Sequence, residues 1–171
     1  KSNNHIVEFM LIYNRYKTNV YNFTLRMLKN KAAAEDVVQN VFMKLYLNFT
    51  TIKHKSSIKY WIFKTTRNEI YGVFRRKKIR NEIDSEFIDE RFSDFSENQI
   101  AESYELNELK QLVMKKLEQL PQEQKEVFLL KEYGQLSYRE IADLLGIDES
   151  LVKSRLYKTR QKLISQLSKI L

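Results

Sequence analysis

The sequence predicts an all-α protein of two small helical domains joined by a flexible acidic linker, and three observations carry that prediction. Only three Gly and one Pro punctuate 171 residues, too few for a β-sandwich or barrel, whose tight turns usually draw on one or the other. Apolar residues recur at spacings of three and four on both sides of the chain's middle. Charge falls in three blocks: residues 1–78 hold 16 Lys and Arg against 4 Asp and Glu, residues 79–105 hold 2 against 9, and residues 106–171 hold 12 against 9. A basic block, an acidic connector and a mildly basic block read as domain, linker and domain. At 43% hydrophobic residues there is enough apolar material for a core in each.

The same composition excludes several function classes. Gly72, Gly134 and Gly146 stand too far apart for a glycine-rich phosphate loop. Without Cys no disulfide or thiolate site can form, and His5 and His54 are distant in sequence, so no metal or other cofactor is expected. No apolar run approaches the ~20 residues that cross a bilayer, so membrane insertion is not expected. The polar start, with Asn3, Asn4 and His5, reads as lacking a secretory leader, and a first residue of Lys1 rather than Met reads as a trimmed sequence. A cytoplasmic basic protein with no enzymatic chemistry is the expectation. Its net charge of +8 suits a polyanionic partner, nucleic acid above all, with a solvated charged surface or an anionic membrane as the other readings.

Taken in order, the N-terminal block begins with a helix on which Val7, Met10, Leu11 and Asn14 share one face, continued by Val20, Phe23, Leu25 and Leu28. From Ala32 to Tyr46, a run of alanines opens a second helix whose stripe is Val37, Val38, Val41, Phe42 and Leu45. Opposite that stripe lie Glu35, Asp36, Gln39, Asn40 and Lys44, either a protein-binding surface or ordinary solvent exposure. Ser56 or Ser57 can cap a third helix from Ile58, with Ile58, Ile62, Thr66, Ile70 and Val73 facing inward. Another face of it gathers Trp61, Lys64, Asn68, Tyr71 and Arg75. Rings that stack on bases, cations that hold phosphates and an amide that reads a base edge are what single-stranded nucleic acid needs, although Trp61 could instead be core. The run Arg75-Arg76-Lys77-Lys78 extends the positive surface for duplex phosphates. The loop Ile52–Ser57, with Lys53, His54, Lys55 and Ser56, could close over an extruded base.

The connector from Ile79 to Glu105 lacks a sustained helical stripe, and its negative charge disfavours compaction. Its Phe87, Ile88, Phe92 and Phe95 leave two readings open: a tether with an occasional docking contact, or an acidic competitor of nucleic acid for a basic surface. In the C-terminal block Pro121 opens a helix that runs to Gly134, read as its left-handed stop. Ser137-Tyr138-Arg139-Glu140 is a capping box opening a short helix with Ile141, Ala142 and Leu145. Gly146 and Ile147 form a tight turn, and Asp148 is placed to cap a second helix through Leu151, Val152 and Leu156. A small residue at the crossing, a turn glycine and a locking valine at this spacing form a helix-turn-helix. Its second helix turns Ser150, Lys153, Ser154, Tyr157, Lys158 and Arg160 outward, a set suited to guanine edges and phosphates.

Taken together, these blocks resemble bacterial RNA polymerase sigma factors of the extracytoplasmic-function (ECF) group, within the sigma-70 superfamily. The stretch LPQEQKEVFLLKEYGQLSYREIADLLGIDESLVKSRLYKTRQKL resembles region 4 of that family, AEDVVQNVFMKLY resembles region 2.2, and YWIFKTTRNEIYGVFRRKK resembles regions 2.3 and 2.4. The resemblance implies binding to the clamp helices and flap of core RNA polymerase, direction of the polymerase to promoters and help in opening the duplex. By it, Glu35, Asp36, Gln39, Asn40 and Lys44 dock on the clamp helices. The loop with Lys53, His54, Lys55 and Ser56, together with Trp61, Lys64, Asn68, Tyr71, Arg75 and Arg76, binds the minus-ten element and a flipped base. Ser150, Lys153, Ser154, Tyr157, Lys158 and Arg160 contact the minus-thirty-five element as duplex. The connector would run through the polymerase toward the RNA exit path, and an anti-sigma protein is a further partner. Asp148-Glu149-Ser150 departs from the small or hydroxyl residues common at the start of this helix. A conventional helix-turn-helix regulator, and a nucleic-acid enzyme using Glu35 and Asp36, are the alternatives.

Overall fold

The computed structural model describes residues 2–54, 57–83 and 104–170. Among the described residues there are seven helices and no strand: α1 (Ser2–Leu28), α2 (Lys31–Asn48), α3 (Ile58–Ile83), α4 (Tyr104–Glu118), α5 (Gln122–Glu132), α6 (Tyr138–Leu145) and α7 (Glu149–Ser168). The chain divides into an N-terminal unit, Lys1–Phe95, and a C-terminal unit, Ser96–Leu171.

In the N-terminal unit α1, α2 and α3 pack on one another. Lys29 adopts the left-handed region at φ 55° and ends α1, its N–H donating to the Leu25 carbonyl at 2.8 Å. Asn30 then caps α2, its side-chain oxygen accepting from Ala33 N at 2.9 Å. The core is Val20, Phe23 and Met27 from α1, Ala34, Val37, Val41, Phe42 and Leu45 from α2, and Ile58, Ile62, Phe63 and Ile70 from α3. Each large side chain buried here contributes about 1.5–3 kcal/mol against exposure. The buried hydroxyls of Thr24 and Thr66 donate to the carbonyls of Val20 and Ile62, both at 2.7 Å, so neither is left unpaired.

Two expectations change in this unit. Val7, Met10 and Leu11, predicted to share the buried face of α1, are exposed. The inward positions are Phe9 and Tyr13, which continue the Val20, Phe23 and Met27 row at spacings of three and four. Phe9 meets Tyr46 edge-on at 5.3 Å and Phe49 at 6.4 Å, and Tyr13 meets Phe42 at 4.9 Å. Two amphipathic faces competed, and the one carrying rings buries more area and gains edge-to-face contacts. Residues 79–83, assigned to the connector by charge, continue α3 to Ile83. The change in charge composition at residue 79 therefore does not coincide with the end of the helix.

The C-terminal unit is organised around α7, on which α4, α5 and α6 all pack. Its core is Leu117, Leu120, Val127, Leu129, Leu130, Leu136, Ile141, Ala142, Val152, Leu156 and Leu163. The helix α4 was not anticipated, although Leu112, Val113, Leu117 and Leu120 carry the helical spacing that announces it. The remaining connector residues, 84–103, lie outside the described residues.

Candidate nucleic-acid interfaces

The helix-turn-helix is set by its turns. Pro121 is the N-cap of α5, and its carbonyl accepts from Gln124 and Lys125 N–H at 3.0 Å each. Gly134, read from sequence as a left-handed stop, does not have positive φ; Gln135 does, at 51°. Glycine is required at 134 for another reason. A Cβ there would lie 2.5 Å from the Leu130 carbonyl oxygen, because the chain folds back onto the last turn of α5. Lys131 reinforces the turn by donating to the Leu136 carbonyl at 3.2 Å.

The capping box of α6 is complete: Glu140 N donates to Ser137 Oγ at 3.1 Å and Ser137 N donates to Glu140 Oε2 at 2.7 Å. Gly146 closes α6 with φ 66°, the left-handed conformation the turn needs. Asp148 occupies the N-cap of α7, but its side chain makes no capping hydrogen bond; its backbone carbonyl accepts from Leu151 and Val152 N–H instead. Ala142 and Val152 are buried where α6 and α7 meet, as the spacing predicted.

On α7 the predicted DNA-facing residues Ser150, Lys153, Tyr157, Lys158 and Arg160 are exposed and Ser154 is half-buried. Several cations are held by carboxylates: Lys153 pairs with Glu149 at 3.6 Å, Arg155 with Glu123 at 3.3 Å and Arg160 with Glu132 at 3.7 Å. The exposed Lys153 and Arg160 pairs are worth about 0–1 kcal/mol each, so phosphates can compete for those two cations. Arg155, absent from the predicted set, packs its charged end toward α5. Tyr138 at the start of α6 carries two ammonium groups over its ring, Lys131 at 4.6 Å and Lys153 at 5.7 Å.

In the N-terminal unit, α3 presents the predicted band: Lys64, Asn68, Arg75 and Arg76 are exposed, and Trp61 and Tyr71 are half-buried. Trp61 is thus outside the fully buried core. Arg67, which the sequence reading omitted, lies 4.4 Å from the Tyr71 ring centre, and Phe74 meets that ring edge-on at 5.6 Å. Lys64 lies 5.9 Å over Tyr60. Rings and cations therefore alternate along one side of the helix, with stems and rings packed on each other and charges outward. Lys53 and His54 are exposed in the preceding loop, where His54 O accepts from Ser57 N at 3.0 Å. Lys55 and Ser56 lie outside the described residues.

Glu35, Asp36, Gln39, Asn40 and Lys44 are all exposed on α2. They do not form one narrow patch: at ~100° per residue, Glu35 and Lys44 point to opposite sides of the helix. Lys44 is joined to Glu69 of α3 by an ion pair. Glu35 and Gln39 border a groove of about 550 Å³ between α1 and α2, lined by Phe9, Met10, Tyr13, Val38 and Phe42 among others. Burial, and secondarily the Glu35 carboxylate, raises the Tyr21 phenol beside this groove above the usual tyrosine range. Among the described residues no helix is long and apolar enough to cross a membrane, and no three His, Asp or Glu side chains gather where a metal could be held.

Comparison with known proteins places both units. Residues 12–79 match the sigma-70 region 2 family and residues 110–163 match sigma-70, region 4. The ECF RNA polymerase sigma factor SigM of Bacillus subtilis is 31% identical over 152 residues, covering 89% of this chain and 90% of its own. SigW of the same organism, also an ECF RNA polymerase sigma factor, is 28% identical over 165 residues, covering 93% and 88%. Among solved structures, the fold resembles the sigma factor RpoE in its complex with the anti-sigma factor NepR from Bartonella quintana. That match has a TM-score of 0.77 at 22% identity and covers 94% of this chain and 97% of the other. It also resembles CnrH in complex with the cytosolic domain of CnrY, with a TM-score of 0.65 at 18% identity, covering 94% and 88%. With a region 2 bundle, a region 4 helix-turn-helix and a curated relative matched over nearly its whole length, the chain belongs to the ECF RNA polymerase sigma factors.

Proposed function

We propose that this chain binds core RNA polymerase, directs it to particular promoters and stabilises the melted duplex at the start of transcription. What carries the reading is the exposed band of α3. Trp61, Lys64, Arg67, Asn68, Tyr71 and Arg75 put stacking surfaces, cations and an amide on one side of α3, with Lys64, Asn68 and Arg75 exposed and Trp61, Arg67 and Tyr71 half-buried among them. It is supported by a separate outward cationic surface on α7 in a chain whose two units match regions 2 and 4.

In this reading the α2 surface around Asp36, Gln39 and Asn40, with Glu35 and Lys44 at its edges, docks on the clamp helices. The outward residues of α7 fix position on the minus-thirty-five duplex. Lys53, His54, Lys55 and Ser56 close over a base extruded from the minus-ten element onto the α3 band. The work is done by binding energy rather than covalent chemistry: unstacking costs a few kcal/mol per step and is offset by stacking of ~1–3 kcal/mol per base and by polymerase contacts. Phosphate contacts release counterions, so affinity falls steeply with salt. An anti-sigma protein is a further partner, as one accompanies RpoE in its solved complex.

The test is co-elution with bacterial core RNA polymerase stripped of its own sigma, beside a variant carrying Asp36→Arg and Gln39→Ala. Stable co-elution, lost in the variant, is the expected result. A free protein that ignores the polymerase yet binds duplex DNA tightly overturns the proposal in favour of a conventional regulator.

A further inference from the structure

Two carboxylates open the helix proposed to enter DNA, where repulsion by phosphates makes acids unfavourable. Asp148 is the N-cap of α7 without a side-chain capping bond, and Glu149 is the first helical residue. Both are exposed. Glu149 lies 3.6 Å from the ammonium of Lys153, one turn on along the same face. Lys153 is in turn held over the ring of Tyr138, which also carries Lys131 from α5. Residues of α5, α6 and α7 thus gather around the acid–cation pair, which stays exposed and open to exchange with DNA.

When a helix-turn-helix docks, the N-terminal residues of its second helix reach base edges in the major groove. A carboxylate can only accept there, and the base-edge partner that suits it is the N4 amine of cytosine; a lysine ammonium suits O6 and N7 of guanine. An acid and a cation one turn apart therefore match the two halves of a cytosine–guanine pair, or of two successive pairs. We infer that Glu149 is a specificity-determining residue that reads a cytosine in the upstream duplex element, with Lys153 on the guanine of the same or the adjoining pair. This rests on the reading that α7 enters the major groove. A purely structural Glu149 would instead stabilise the first turn through the helix dipole, which is independent of DNA sequence.

The test uses the full chain assembled with core RNA polymerase to select from a duplex library randomised across the upstream element. Affinities are then measured for all four base pairs at each selected position. The wild type is expected to favour cytosine at one position by roughly 10-fold. Glu149→Gln is expected to lose that preference, and to bind the other three base pairs more tightly because a charge that repels phosphates is gone. Unchanged preference with a uniform change in affinity overturns the inference and leaves the sigma reading standing. Selection of no sequence by the wild type overturns both. Thermal unfolding of the variant, followed alongside, separates lost discrimination from lost structure.

Discussion

Substituting Gly134 tests the account of the helix-turn-helix most sharply, because sequence and structure give different reasons for that glycine. A left-handed stop would make Gly134→Ala resemble Gly146→Ala, a strain of about 1 kcal/mol. At Gly146, with φ 66° and no atom within 4 Å of an added Cβ, strain is indeed the whole cost. At Gly134 the new Cβ would sit 2.5 Å from a backbone oxygen of Leu130 and 3.4 Å from Leu136 Cγ. Backbone cannot rotate away as a side chain can, so the turn must open. The bonds that hold it, Gly134 N to Leu129 O at 3.4 Å and Leu136 N to Leu130 O at 3.5 Å, are already long. Overpacking of about 1–3 kcal/mol plus a weakened hydrogen bond of about 1 kcal/mol gives roughly 2–4 kcal/mol. Gln135→Gly, in contrast, relieves a left-handed residue and stabilises by about 0.5 kcal/mol after the added chain entropy. Urea unfolding of the full chain by circular dichroism measures all three. Trp61, the one tryptophan, lies in the N-terminal unit, so its fluorescence is an internal reference. A Gly134→Ala cost no larger than that of Gly146→Ala refutes the close-approach argument.

Phe63, fully buried and edge-on to Phe23 at 5.8 Å, is expected to cost about 3–5 kcal/mol when replaced by Ala, read as a fall in the urea midpoint of Trp61 fluorescence. Trp61→Ala is expected to reduce promoter opening about 10-fold, the loss of one stacked base, with co-elution on polymerase unchanged; parallel loss of co-elution contradicts the assignment. Tyr21 is expected to ionise later than exposed tyrosines in a near-ultraviolet alkaline titration, with Tyr21→Phe identifying its step. Its pKa is raised, so the stability linked to its protonated form is fully present below about pH 10 and is lost as pH rises through the folded value. Glu35→Gln should lower that step only part of the way, since burial is the larger cause; no movement at all removes Glu35 from the account.

By itself the sequence determined whatever depends on neighbours along the chain. The capping box Ser137–Glu140, the left-handed Gly146, the buried Val152 and the inward row of α3 are local patterns, settled by backbone geometry within one or two turns. Asn30, the cap of α2, belongs to the same class, and its residue type before a run of alanines was a signal present in the sequence. Tertiary structure decided the choices that need a second helix. Two faces of α1 were apolar enough to bury, and only the rings of α2 select Phe9 and Tyr13 over Val7 and Leu11. Lys44 finds Glu69 across 25 residues of chain, and Arg155 finds Glu123 across the α5–α7 contact. Gly134 has its reason in a carbonyl oxygen brought close by a fold-back, not in its own φ. Periodicity tells which residues can share a face; which face is buried, and which charges meet there, is fixed only when packing brings distant surfaces together.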